Sequence, residues 1–164
     1  MAGNSDATFT DDIVRMYHGE FRGEALFSAI AANTHEPKLA SGMAVLAQLE
    51  NAMQGVISEW LSARNVHHEP CSYDHADLVN HYGPMVDLPG ERFIVEYRPI
   101  MTNACESLAK WARTAPADGA TLASVIVEHD EVILELIDLV LAGQVDDACA
   151  PVEALIDRIA PKIL

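Results

Sequence analysis

Basic side chains are scarce in this sequence: 10 Lys and Arg stand against 25 Asp and Glu, a formal charge of −15 over 164 residues with histidine neutral. A chain so acidic repels phosphate backbones and anionic membrane surfaces, because affinity for a polyanion comes from exchanging its counterions for Lys and Arg. Nucleic acid and membrane are therefore not expected as partners. Cysteine is nearly as sparse: Cys71, Cys105 and Cys149 are odd in number and form no Cys-x-x-Cys pair, which predicts reduced thiols rather than a disulfide framework or a zinc ribbon. Long apolar runs are missing as well. The most apolar stretch, residues 132–143, is broken by Glu135 and Asp138 and falls well short of the ~20 residues that a bilayer span needs. The opening residues are polar, with no basic segment ahead of an apolar run, which predicts no export leader and a cytoplasmic address. Gly-x-Gly-x-x-Gly, P-loop, His-Glu-x-x-His and Gly-x-Ser-x-Gly motifs are all absent, which removes the strongest support for nucleotide, zinc-protease and serine-hydrolase chemistry.

Half of the residues are apolar but only 6% are aromatic, so the core is built from Ala, Leu, Ile and Val, a composition that suits packed helices. Glycine and proline divide the chain into helical segments, and no alternating strand of useful length appears. The expected fold is all-α, a single domain over residues 1–164 with residues 1–9 as a flexible N-terminus. A first helix is predicted over 11–32, capped by Thr10 or Asp11. A second, opened by Pro37, runs over 37–65, about 40 Å at 1.5 Å per residue. Residues 66–91 form a crossover with a short helix after Ser72 that stops before Gly83. A third long helix covers 89–114 with Pro99 inside it. The fourth, capped by Asp118, reaches 142, with Gly143 placed for a left-handed residue. A last helix over 151–163 shows Val152, Leu155, Ile156, Ile159 and Ile163 on one side, which is expected to pack across the bundle or a partner subunit.

The apolar stripe of each helix carries polar residues where a core is expected. In the second helix Leu39, Met43, Leu46, Glu50, Met53, Ile57 and Trp60 repeat at spacings of 4, 3, 4, 3, 4 and 3, with Glu50 at the centre. On the first helix Glu20 and Glu24, one turn apart, share a face with Ile13, Met16, Tyr17 and Phe27, and Glu24 is placed deeper while Glu20 reaches toward the bundle end. The third helix turns Phe93, Tyr97, Ile100, Met101 and Leu108 inward, with Glu96 at the shoulder. The fourth centres His129 among Leu122, Val125, Val132 and Leu136, with Glu128 at the border. An ionised carboxylate in such a core costs several kcal/mol unless it is paired, hydrogen-bonded or bound to a metal.

A long helix pair, a crossover and a second pair with carboxylates at mid-helix resemble the ferritin-like fold, an up-down four-helix bundle. The runs Phe21-Arg-Gly-Glu-Ala-Leu-Phe27, Leu46-Ala-Gln-Leu-Glu50 and Val127-Glu-His-Asp130 are similar to those of small bacterial ferritin-like proteins whose chemistry is mostly unassigned. The resemblance covers residues 10–160. It matches Glu24 to the lone Glu of the family's first helix and Glu50 to the Glu of its first Glu-x-x-His, although position 53 here is Met. Glu128-x-x-Glu131 stands where the second motif would fall, but the stripe turns His129 inward instead. What the resemblance implies is a reduced metal set, Glu24, Glu50 and His129, for iron or manganese in an oxidoreductase, with Tyr97 and His129 as candidate catalytic groups.

Two other readings use the same residues. One is a metal-free cluster sharing protons around a small cavity, an acid-base enzyme or small-molecule binder. The other is a non-enzymatic helical homodimer formed through apolar edges and the last helix. The methionines on the stripes read as core. The crossover holds His67, His68, Cys71, His75 and His81; it matches no metal-finger spacing and is expected to be a solvated loop.

Overall fold

Helix α1 spans Gly3–Asn33 in the computed structural model, which describes residues 3–160, with side chains from Thr8 onward. It therefore begins well before the expected Thr10 or Asp11 cap, and residues 3–9 belong to the helix. The reason is aromatic packing: Phe9 is buried, stacked on Trp111 at 5.0 Å between ring centres and edge-on to Trp60 at 5.9 Å. Asp12 accepts from Trp111 Nε1 at 3.0 Å, which ties the same turn to the far side of the bundle. Met1, Ala2 and Ile163, which the sequence reading assigned to the N-terminus and the last helix, lie outside the described residues.

Helix α2, Pro37–Ser62, starts on the Glu36 carboxylate, which accepts from the Lys38 and Leu39 amides, and ends three residues earlier than the sequence suggests. Helix α3, His75–Tyr82, is set by a reciprocal cap between Asp74 and Asp77, and a 3-10 turn over Gly83–Asp87 follows. Helix α4, Gly90–Ala112, carries Pro99 on its exposed side. Helix α5, Ala120–Leu141, has Gly119 rather than Asp118 at its start, because Asp118 is drawn off to Arg64 at 2.8 Å. Gly143 closes it at φ +79°, a conformation costly for any residue with a Cβ. Helix α6, Ala150–Ile159, seals Val152 and Leu155 against α2 and α5.

The long helices pair α1 with α2 and α4 with α5, with α3 and the 3-10 turn crossing between the pairs. This is an up-down four-helix bundle with a crossover, and no strand occurs among the described residues. No helix of the described residues is long and apolar enough to cross a membrane. The core falls into two apolar blocks. One holds Leu26, Phe27, Leu46, Leu49, Phe93, Met101 and Val132; the other holds Phe9, Ile13, Tyr17, Met53, Ile57 and Ile126. In sequence, Glu20 stands between Tyr17 and Leu26, Glu50 between Leu49 and Met53, and His129 between Ile126 and Val132, so the buried polar residues form a layer where the blocks meet.

Candidate metal centre

Three helices each deliver one polar side chain to that layer. Glu20 from α1, Glu50 from α2 and His129 from α5 are 7%, 5% and 4% exposed, and each offers a ligand atom within 4.8 Å of the other two. His129 Nε2 stands 3.4 Å from Glu20 Oε2 and 3.6 Å from Glu50 Oε1. These separations exceed the 2.7–3.2 Å of an N–H to O hydrogen bond, and Glu20 Oε2 and His129 Nε2 have no hydrogen-bond partner. On its other side the imidazole is held firmly, with Nδ1 2.9 Å from Asp130 Oδ1. A carboxylate behind a ring nitrogen fixes tautomer and orientation and presents Nε2 to the site.

Gly23 makes the arrangement sterically possible. A Cβ at that position would lie 2.5 Å from the Glu50 carboxyl, so any other residue there would displace the carboxyl end of Glu50 from its present place. Glycine in a helix interior costs roughly 0.5–1 kcal/mol relative to alanine. Its presence three residues after Glu20 was the available sign that α1 is approached closely here. Asp130, beside His129, was equally readable as its orienting carboxylate; neither was singled out from the sequence.

Glu24 does not join the trio. Four residues along a helix is ~40° past a full turn, which rotates Glu24 out of the layer, where it accepts from Gln54 Nε2 at 2.6 Å and lines a separate surface hollow with Gln48 and Asn51. Glu20, expected near the bundle end, occupies the place assigned to Glu24. Tyr97 is inward as expected, its ring stacked on Phe93 at 4.7 Å and edge-on to Phe27, and it lines the same cavity as the trio. Ile100, expected inside, is 44% exposed. Glu96 pairs with Arg92, Glu128 with Arg158, and Glu131 is exposed, so none of them faces the layer.

Burial dominates the acid-base character of the site. It raises Glu50 well above the ordinary carboxyl value, and the neighbouring Glu20 adds to this. Glu20 is also raised by burial, with the His129 charge opposing. For His129 burial works against the proton, but Glu20 and Asp130 together outweigh it and the value rises. Both carboxyls and the imidazole are thus shifted toward their protonated forms. Tyr97 is pushed far up by burial, and Tyr82, which also lines the cavity, is pushed up to about 12, so both phenols stay protonated.

The donor set fits a metal. Ligands each about 2.1 Å from one ion stand roughly 3.0–3.4 Å apart in octahedral or tetrahedral arrangements; the two His129 separations of 3.4 and 3.6 Å lie at or just beyond that range, and the three ligand atoms, all within 4.8 Å of one another, would draw together around an ion. The crossover histidines do not assemble into a rival: His68 bonds Ser58 and the Val66 carbonyl, His75 meets Asp87, His81 meets Arg22, and His67 meets Glu69. Compared with protein-family models, with curated proteins and with solved structures, the chain matches none of them.

Proposed function

We propose that Glu20, Glu50 and His129 hold one divalent transition metal at the centre of the bundle. The observation that carries this reading is the pair of buried atoms, Glu20 Oε2 and His129 Nε2, that face each other at 3.4 Å with no hydrogen-bond partner, a separation close to that of two ligands on one metal. One imidazole and two carboxylates suit iron or manganese, and either ion supplies redox chemistry when bound. The frame resembles the ferritin-like proteins, reduced from two metals to one: Met53 replaces the first motif histidine, and Glu96, Glu128 and Glu131 are turned away.

The chain's own residues do the rest. Asp130 keeps His129 Nε2 aimed at the layer, Gly23 admits Glu50, and the protonated Tyr97 phenol faces the cavity as a hydrogen-bond donor. A second reading rests on the raised Glu50 carboxyl, which is the protonated partner that a metal-free acid-base cluster requires.

Elemental analysis after anaerobic loading with iron(II) or manganese(II) and desalting separates the two. About one metal per chain is expected in the wild type and in Glu24→Ala, with loss in Glu20→Ala and Glu50→Ala. Stoichiometric metal retained in both of the latter variants overturns the assignment, and an empty wild type leaves the proton-sharing cluster.

A further inference from the structure

In a chain with 25 acids against 10 bases every arginine has acids to choose from, and Arg15, Arg64, Arg92, Arg98 and Arg158 each pair with a carboxylate. Arg113 is exposed. Arg22 on α1 differs from all of these: it is half-buried, its Nε is buried with no hydrogen-bond partner, and no carboxylate pairs with it among the described residues. Around it lies a hollow of about 310 Å³ lined by Arg22, Tyr73, Asp77, Asn80 and His81. We infer that this hollow binds a small molecule bearing one carboxylate group, with that carboxylate on the Arg22 guanidinium. The site is separate from the central trio and does not depend on a metal there.

The crossover builds the hollow. Asp77, Asn80 and His81 fall at i, i+3 and i+4 on one face of α3, and α3 packs on α1, which brings that face to Arg22. Tyr73, two residues before the helix, places its ring centre 5.2 Å from the guanidinium carbon. His81 is a poor substitute for an acid. Arg22 Nη1 lies 3.0 Å from its Nδ1 and 2.9 Å from its Nε2, and a neutral imidazole has only one acceptor nitrogen, so the other offers the cation an N–H. A carboxylate accepts from the planar guanidinium through both of its oxygens, which a ring nitrogen does not.

The charges lining the hollow select a single negative charge. One guanidinium faces the ligand and no second Lys or Arg lines the hollow. Asp77 lines it too, but its carboxylate is already engaged, accepting from the Asp74 amide at 3.1 Å in the cap of α3. A phosphate dianion would meet the same single cation with a greater repulsion from Asp77. The formal charge of −15 matters less than this local set, because exposed charges more than about 8 Å away are screened at physiological ionic strength. Volume sets the size: a cavity of about 150 Å³ holds benzene, so 310 Å³ takes a molecule as large as benzoate.

The test titrates 4-fluorobenzoate into metal-free full-length protein at about 150 mM sodium chloride, followed by fluorine NMR, with 4-fluorobenzamide as the neutral counterpart and 4-fluorophenyl phosphate as the dianion. Saturable benzoate binding near roughly 1 mM is expected, at least roughly tenfold weaker for the other two probes and for Arg22→Gln. Asn80→Asp, at an exposed position where an added carboxylate competes for Arg22, weakens benzoate as well without removing a half-buried side chain. No saturation by roughly ten times that concentration, equal binding of the amide or the phosphate, or binding indifferent to Arg22→Gln, or to Asn80→Asp where the first variant does not fold, overturns the proposal. Glu50→Ala, which is expected to lose the metal, keeps benzoate binding, so failure at one site is distinct from failure at the other.

Discussion

Glu50 is the residue on which most of the site's behaviour turns. It is buried, raised, and its carboxyl occupies the space that a Cβ on Gly23 would take. An acid whose folded value exceeds its unfolded value binds more protons when folded, so its contribution to stability is greatest at low pH and is lost as pH rises from about 4.5 through the folded value. His129, raised above 6.5, acts with the same sign at higher pH. Metal-free protein should therefore lose melting temperature between about pH 5 and pH 8, and Glu50→Gln should flatten much of that slope and melt higher at the alkaline end. Parallel curves for the two proteins in a pH series of thermal melts would show that Glu50 is ionised in the fold. Glu50 and His129 were legible as inward residues from helical spacing alone. The choice between Glu20 and Glu24 was not, because both lie on the apolar face and only the register of α1 against α2 decides which meets Glu50.

At the scale of the element, the helices were readable from proline, glycine and apolar spacing, and their ends were less so. Residues 3–9 carry no core stripe of their own; what holds them helical is the long-range packing of Phe9 on Trp60 and Trp111, which a local pattern does not contain. Asp118 looked like a cap and instead pairs with Arg64, 54 positions away. Helix α6 packs on the bundle itself, one of the two places that its apolar side was expected to take. It lies across α2 and α5, the helices that carry Glu50 and His129, so its docking supports the site from behind. Leu155 is 2% exposed in that contact, and Leu155→Ala should cost roughly 2–5 kcal/mol of unfolding free energy, read from urea denaturation. A loss under ~0.5 kcal/mol, the range of ordinary surface substitutions, would mean that α6 contributes little to the bundle.

Over the whole molecule, charge and polar layering set the terms. With a formal charge of −15 the folded chain repels itself, and most of its ion pairs are exposed and worth little. Raising sodium chloride from about 20 mM to about 300 mM should raise the melting temperature through screening, as differential scanning calorimetry would record; a fall would assign the exposed pairs a larger share of stability than this. Both tryptophans of the chain, Trp60 and Trp111, stand around Phe9 at one end of the bundle, and neither lines the cavity beside the trio. Ultraviolet emission from this protein is thus a local signal that follows the anchoring of the first turns of α1, with Trp60 ten residues along α2 from Glu50, about 15 Å at 1.5 Å per residue. A shift in its emission wavelength on loading the centre would report a change in the surroundings of that end, and a silent spectrum would be compatible with a filled site.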